Sequence, residues 1–288
     1  MPKDQNWSEN TEPPLLEGER LDELGRKGYR IIQHTKTFCF GIDAVLLADF
    51  ARIRRRDRVL DLGCGNGILP LLLAARDKGA SFVGVEIQPR QAALATRNMA
   101  LNGLAGRCRI LEADLKEISG TLEPASFDAV VTNPPYMKRG SGLVNPEGAK
   151  ALARHEISCE LSDVLREAAA MLKPGGSLFL VYRCWRMAEL LGELPRHGLL
   201  AKRLRVVYSR RETEGELVLL EARKGGAEGV KVLPPLIIYD APGVYSEEIR
   251  RIYREDAVMS KEEAVGATKE GPGEGRQAET EAPGEEKA

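Results

Sequence analysis

Val59-Leu-Asp-Leu-Gly-Cys-Gly-Asn-Gly67 is the first segment of the chain with residue types and spacing suited to chemistry. An apolar run passes into Gly63, Gly65 and Gly67, and a second apolar run, Ile68–Arg76, follows at once. Glycines in such a turn let a ligand approach the backbone, and the N–H groups at the start of the next helix face it. The dinucleotide pattern G-x-G-x-x-G needs a third glycine at position 68, where this chain has isoleucine. Asp61 precedes the turn. A carboxylate there repels a pyrophosphate but accepts an ammonium, such as the cationic amino-acid end of S-adenosylmethionine (SAM). Two further carboxylates stand near strand ends. Glu86 is suited to accept both hydroxyls of a ribose. Asp114 is suited to accept an adenine amino group while the N–H of Leu115 meets a ring nitrogen.

Asn133-Pro134-Pro135-Tyr136 is the second such segment. Its prolines fix φ and remove two backbone donors, so the turn presents rigid carbonyls with Tyr136 at its end. It contains no strong base or nucleophile. It suits a reaction in which one partner is already activated and the other needs only positioning. The Asn133 side-chain oxygen and the Pro134 carbonyl match the two hydrogens of a planar exocyclic amine, and Tyr136 offers a stacking face. Read alone, the segment is also an ordinary Asn-Pro turn at a strand end.

These residues must be held by elements. Apolar runs at Arg58–Leu62, Ser81–Glu86, Cys108–Glu112, Phe127–Thr132, Ser177–Tyr182, Arg203–Tyr208 and Leu217–Ala222 predict strands. Helical patterns at Ile68–Arg76, Pro89–Asn102, Ser162–Leu172 and Cys184–Leu194 alternate with them, the third closed by Lys173-Pro-Gly-Gly176. Alternation of this kind predicts an α/β, Rossmann-like fold: a mostly parallel seven-stranded sheet with helices on both faces. The last two runs have only a short polar link between them and predict a C-terminal hairpin with one antiparallel strand. Asp61, Glu86 and Asp114 then fall at the carboxyl edge of three successive strands, where open α/β sheets bind ligands. Upstream, a strand-like stretch from Tyr29 turns at Gly41 into a helix with Asp43 in its first turn.

The glycine loop resembles motif I of class I SAM-dependent methyltransferases, and N-P-P-Y resembles motif IV of those that methylate amino and amide nitrogens. From about residue 19 to 254 the chain resembles the YfiC/YabB-like methyltransferases. The resemblance rests on the Tyr29–Ala51 segment, the glycine loop, Gly84-Val-Glu-Ile-Gln88, N-P-P-Y, L-K-P-G-G, Pro235-Leu-Ile-Ile-Tyr239 and Tyr245-Ser-Glu-Glu-Ile249. It implies SAM as cofactor and N6-methylation of the adenine 3′ of the anticodon in a valine tRNA. By position, Asp61, Gly63, Gly65, Asn66, Gly67, Glu86, Asp114, Leu115 and Asn133 would hold the cofactor. Asn133, Pro134, Pro135 and Tyr136 would hold the base.

Of the 288 residues, 43% are hydrophobic and 30% charged, as in a globular protein, and no apolar run is long enough to span a bilayer. Five scattered cysteines without a CxxC pair argue against disulfides and zinc, and the cytoplasm is the expected compartment. The expected organisation is a disordered N-terminus at 1–17, a methyltransferase domain at 18–255 with an N-terminal cofactor-side segment at 18–52, and a disordered acidic tail at 260–288. Residues 254–288 hold five basic and ten acidic residues, a charge of −5 against −1 for the whole chain, so the rest carries +4. A mildly basic body permits RNA binding. The arginines at 52–58, the basic residues near 202–211, and Lys138 and Arg139 are candidates for it. No metal or membrane partner is expected, and the chain is expected to be a monomer or homodimer. The rival activities are release-factor glutamine N5-methylation, disfavoured because only about 50 residues precede the glycine loop, and guanine-N2 or adenine-N6 methylation of rRNA. A catalytically silent RNA-binding scaffold and a nicotinamide-dependent oxidoreductase are the rivals from other classes.

Overall fold

A computed structural model describes residues 14–35, 40–134 and 159–256, all within the first of the two units into which the chain divides, Met1–Val258. The chain enters as an antiparallel hairpin of β1 (Glu19–Glu23) and β2 (Arg30–His34). Helix α1 (Ile42–Phe50) follows, starting after Gly41. The alternating segment then runs β3 (Arg58–Leu62), α2 (Ile68–Ala75), β4 (Ser81–Glu86), α3 (Pro89–Leu101), β5 (Cys108–Glu112), a 3-10 helix at Leu115–Gly120, and β6 (Phe127–Thr132). Beyond it come α4 (Leu161–Met171), β7 (Leu172–Arg183), α5 (Met187–Glu193), β8 (Leu199–Tyr208) and β9 (Gly215–Lys224). Short strands β10 (Lys231–Val232), β11 (Leu236–Ile237), β12 (Tyr239–Ala241) and β13 (Val244–Tyr245) lead into α6 (Glu247–Asp256).

Local sequence accounts for the ends of these elements. Every residue of α2 is buried, and its Pro70 falls in the first turn, where a missing N–H costs nothing. Pro89 opens α3, and Gly103, at φ 66°, follows its end in the left-handed conformation that terminates helices.

The central sheet has the order β10-β8-β9-β7-β6-β3-β4-β5, with β11 also paired to β8. Strands β3 to β7 are mutually parallel, and β9 lies antiparallel between β7 and β8, as the short link between the last two predicted strands requires. The sheet is therefore nine-stranded rather than seven-stranded, because β10 and β11 add two-residue pairings to the outer edge of β8. Neither is long enough to leave an apolar alternation in the sequence.

Side chains alternate between two cores, as the pleat of a strand demands. Val59, Phe82, Ala129, Val131, Phe179 and Val181 pack with α1, α2, Met99 of α3 and Ile249 and Ile252 of α6. Leu60, Leu62, Val83, Val85, Val130, Leu178 and Leu180 pack with α4 and Leu190 of α5.

Two sequence expectations change. Lys173–Gly176, expected to close a helix, lies inside β7: Phe127 pairs with Leu172 and Ala129 with Ser177, so those four residues bulge against the single Asp128. Lys173 Nζ donates to Asp128 Oδ1 at 2.6 Å across the bulge. The helix expected at Cys184–Leu194 begins as a 3-10 turn, Cys184–Arg186, and becomes α-helical only from Met187.

The N-terminal hairpin is fastened to α3 by two asparagines. Asn98 is fully buried; its Oδ1 accepts from the Ile32 N–H at 2.7 Å, and its Nδ2 donates to the carbonyls of Ile32 at 3.0 Å and Asn66 at 2.9 Å. One turn on, Asn102 exchanges hydrogen bonds with the N–H and C=O of Arg30, at 2.8 and 2.7 Å. Side chains of a helix thus pair with an edge strand as a neighbouring strand would. Each buried group left unpaired costs about 1–3 kcal/mol, so Asn98→Ala should lower the unfolding free energy by more than about 2 kcal/mol in urea titrations. A loss under about 0.5 kcal/mol would show that the hairpin is held by other contacts.

Candidate active site

Because β3, β4 and β6 are parallel, their carboxyl ends share one edge of the sheet. Asp61 pairs in register with Gly84, and Leu62 pairs with both Val85 and Thr132. The turn after β3, the end of β4 and Asn133, one residue beyond β6, are therefore neighbours. Thr132 Oγ1 donates to the Leu62 carbonyl at 2.8 Å and ties the two strand ends together. Strand alternation places Asp61 with Val59 and Glu86 with Phe82 on the face covered by α1 and α2.

Asp61 is only 1% exposed, and neither carboxylate oxygen has a hydrogen-bond partner. Burial, with a smaller contribution from the negative Glu86, pushes its pKa well above the usual carboxylate range. Glu86 is also buried but satisfied: Oε2 accepts from the Gly65 N–H at 2.9 Å and Oε1 from the Gln88 N–H at 2.8 Å. It fixes the glycine loop to the end of β4, and each oxygen keeps acceptor capacity for a further donor. Cys64, between the glycines, is buried, and burial with Asp61 pushes its thiol up, consistent with an apolar filler.

The glycines divide by role. Gly63 and Gly65 hold φ of 73° and 53°, and a Cβ on either would meet nothing within 4 Å. Their backbone is open to an incoming group. Gly67, at φ 84°, faces inward: a Cβ there would lie 2.8 Å from Met99 Cε and 3.3 Å from Ala95 Cβ. Among the cofactor candidates it serves the packing of α3, and Asn66 serves through its carbonyl, the acceptor of Asn98. Asp114 precedes the 3-10 helix and caps it, Oδ1 accepting from the Lys116 N–H at 3.0 Å. Leu115 is the first residue of that helix, where a backbone N–H has no partner within the helix. An unpaired buried carboxylate, open glycine backbone and acceptors at the next two strand ends fit the ammonium, ribose and adenine of SAM.

Asn133 and Pro134 are described; Pro135, Tyr136, Lys138 and Arg139 lie outside the described residues. Asn133 Nδ2 donates to Asp43 Oδ2 at 2.9 Å. The sequence placed Asp43 in the first turn of its helix but assigned it no role, since no local pattern links it to a residue ninety positions on.

The basic candidates separate as well. The 52–58 cluster leads into the amino end of β3, so it stands at the edge opposite Asp61. Arg203 is buried, its guanidinium paired with Glu221 at 2.8 Å and stacked on Phe50, and Arg205 pairs with Glu248 at 2.7 Å. Lys202 donates to the carbonyls of Ala227 and Gly229. Arg210 and Arg211 are exposed in the turn after β8, whose end shares the edge of Asp61.

Since its folded pKa is raised, the stability contributed by Asp61 is complete below the unfolded value and is lost as pH rises through the folded one. A cation at its side restores the carboxylate, so SAM affinity should rise with pH from the ordinary carboxylate range toward neutrality. Asp61→Asn should flatten the pH dependence of Tm and raise the ligand-free Tm near neutrality. It should also weaken SAM binding roughly 10- to 100-fold, the worth of a hydrogen bond to a charged group. Calorimetry showing an unchanged Kd would remove Asp61 from the cofactor site.

Residues 40–197 match the methyltransferase small domain family. A protein of Porphyromonas gingivalis named tRNA1(Val) (adenine(37)-N6)-methyltransferase is 31% identical over 220 residues, covering 74% of this chain and 86% of that protein. One of the same name from Aeromonas salmonicida is 30% identical over 208 residues, covering 72% and 85%. A solved structure described as a predicted O-methyltransferase from Agrobacterium tumefaciens superposes with a TM-score of 0.59 at 25% identity, covering 74% of this chain and 96% of that one. The resemblance drawn from the sequence therefore holds: the chain belongs to the methyltransferase small domain family and is a SAM-dependent methyltransferase.

Proposed function

We propose that this enzyme methylates N6 of an adenine in the anticodon loop of tRNA, adenine 37 of a valine tRNA, in the cytoplasm. The observation that carries this reading is the identity of about 30% to relatives bearing that name over roughly three quarters of the chain. The cofactor carboxylates and Asn133 at a single sheet edge support it.

SAM, when bound, supplies a methyl group already activated on a sulfonium. The protein's own work is to place the acceptor. Asn133 Oδ1 and the Pro134 carbonyl accept the two N6 hydrogens, which fixes the amine and turns its lone pair toward the methyl carbon. Tyr136, by its position in the motif, stacks on the base, worth about 1–3 kcal/mol. Nitrogen forms the new bond, the carbon–sulfur bond breaks and the surplus proton passes to solvent. A loop adenine is only partly stacked, so turning it out costs less than from a duplex. Residues 18–255 form the catalytic body in this reading, and the acidic segment 260–288 is dispensable.

Labelled SAM, unmodified bulk tRNA and nucleoside mass spectrometry test the reaction. Wild type should form N6-methyladenosine. Asn133→Ala should bind SAM normally but lose roughly 100- to 1,000-fold in kcat, as when a preorganised polar group is removed. Another methylated nucleoside would keep the mechanism and move the substrate, and none at all would point to rRNA and then to release-factor glutamine. The salt dependence of tRNA binding tests the orientation. Replacing Arg54, Arg55 and Arg56 with alanine should leave the slope of log affinity against log salt unchanged. A slope shallower by about 2 would instead put RNA phosphates across that edge. Deletion of 261–288 should leave Tm and activity unchanged.

A further inference from the structure

We propose that Asp43 is the positioning residue for Asn133, setting which edge of its amide faces the acceptor amine; this rests on the reading of Asn133 as the group that holds that amine. An asparagine amide has a donor edge and an acceptor edge, and a half-turn about its last bond exchanges them. Only the acceptor edge, Oδ1, serves an amine that donates. A carboxylate accepts and does not donate, so the 2.9 Å bond from Asn133 Nδ2 to Asp43 Oδ2 determines the choice. With Nδ2 turned to Asp43, Oδ1 points the other way.

Asp43 is itself fixed. Its second oxygen, Oδ1, accepts from the Ala44 N–H at 3.0 Å, at the start of α1. Room for that carboxylate depends on Gly41, because a Cβ at position 41 would lie 2.7 Å from Asp43 Oδ1. Gly41 has φ −103° and ψ 178°, an extended conformation open to any residue, so the space and not the backbone is what selects glycine there. Among the described residues, this carboxylate accepts from a helix N–H and from the Asn133 amide.

This division makes Asp43→Asn the informative substitution. An amide has one acceptor where a carboxylate has two. If the new oxygen keeps the Ala44 N–H, its NH2 faces Asn133, which must then turn Oδ1 toward it and offer its donor edge to the substrate.

The test measures kcat, SAM Kd, Tm and the Asn133 side-chain amide resonances in wild type, Asp43→Asn, Asp43→Ala, Gly41→Ala, Asn133→Ala and the double variant Asp43→Asn/Asn133→Ala. Asp43→Asn should lose about 10- to 100-fold in kcat, the range for partners that orient a functional group, with SAM Kd within about twofold. Gly41→Ala should lose kcat in the same direction while remaining folded. In the Asn133→Ala background the Asp43 substitution should cost nothing more, because its effect runs through Asn133. The Asn133 amide signals, identified by their loss in Asn133→Ala, should shift in Asp43→Asn. Full kcat in Asp43→Asn, an undiminished loss in the double variant, or unmoved amide signals would overturn the proposal. The amide signals need no substrate, so a wild type silent on tRNA would refute the tRNA reading while still deciding the role of Asp43.

Discussion

An unpaired carboxylate buried against a second carboxylate is the constraint around which this molecule is arranged. Asp61 has no hydrogen-bond partner, and Glu86 raises its pKa further. Burial of an ionised group without compensation is so unfavourable that such a group ordinarily neutralises. The site therefore stores a demand for a cation, and the protein must hold it rigidly enough not to collapse or flood. The parallel sheet provides the rigidity. Asp61 is anchored by register on both sides, to Gly84 of β4 and Val131 of β6. Gly84 leaves room for Cys64 Sγ, which a Cβ there would approach to 2.8 Å. Preorganised polarity of this kind costs stability in the empty protein and returns it as affinity.

The N-terminal segment does more than cover one face. Asn98 ties β2 to the carbonyl of Asn66 in the glycine loop, and Asp43 ties the start of α1 to Asn133. One stretch of chain thereby contacts both the glycine loop and the Asn133-Pro134 turn. Their separation matters because methyl transfer needs the two reactants aligned within about half an ångström, and catalysis of this kind rests on positioning more than on acid–base chemistry. Paired asparagines that read the backbone N–H and C=O groups of Arg30 and Ile32 add to the packing in fixing β2 against α3.

At the far edge of the sheet the chain closes with contacts of a different sort. Arg203 is stacked on Phe50 and paired with Glu221, and Arg205 is paired with Glu248, so residues that look like a basic surface in the sequence instead bind α6 and the β8–β9 pair to the body. Tyr239, Tyr245 and Tyr253 stack in succession, at 5.1 and 5.6 Å between centroids, and Ile249 and Ile252 enter the core beneath α1. The late Pro235–Tyr239 and Tyr245–Ile249 segments thus pack this edge of the fold.

Local sequence determined much of this. Short apolar runs located β3 to β6 residue for residue, because a strand covered on both faces carries apolar residues at successive positions. The left-handed glycines and the strand-end carboxylates were legible because a ligand cradle needs unusual residues at fixed offsets. Elements whose partners are distant were not legible. The polar β1 (ERLDE) shows no strand pattern, since its stability comes from β2 and from Arg97 paired to Glu19 at 2.7 Å. Lys173–Gly176 carries every local signal of a helix stop, yet pairing with β6 draws it into a strand as a bulge. The split between Gly63 and Gly65, open to a ligand, and Gly67, filled by Met99, needs coordinates, as does the exclusion of Arg203 from any surface. The bond from Asn133 to Asp43 is the sharpest case. Sequence could name both residues, but only the fold, by bringing the end of β6 to the start of α1, decides which edge of the Asn133 amide turns to Asp43 and which turns away.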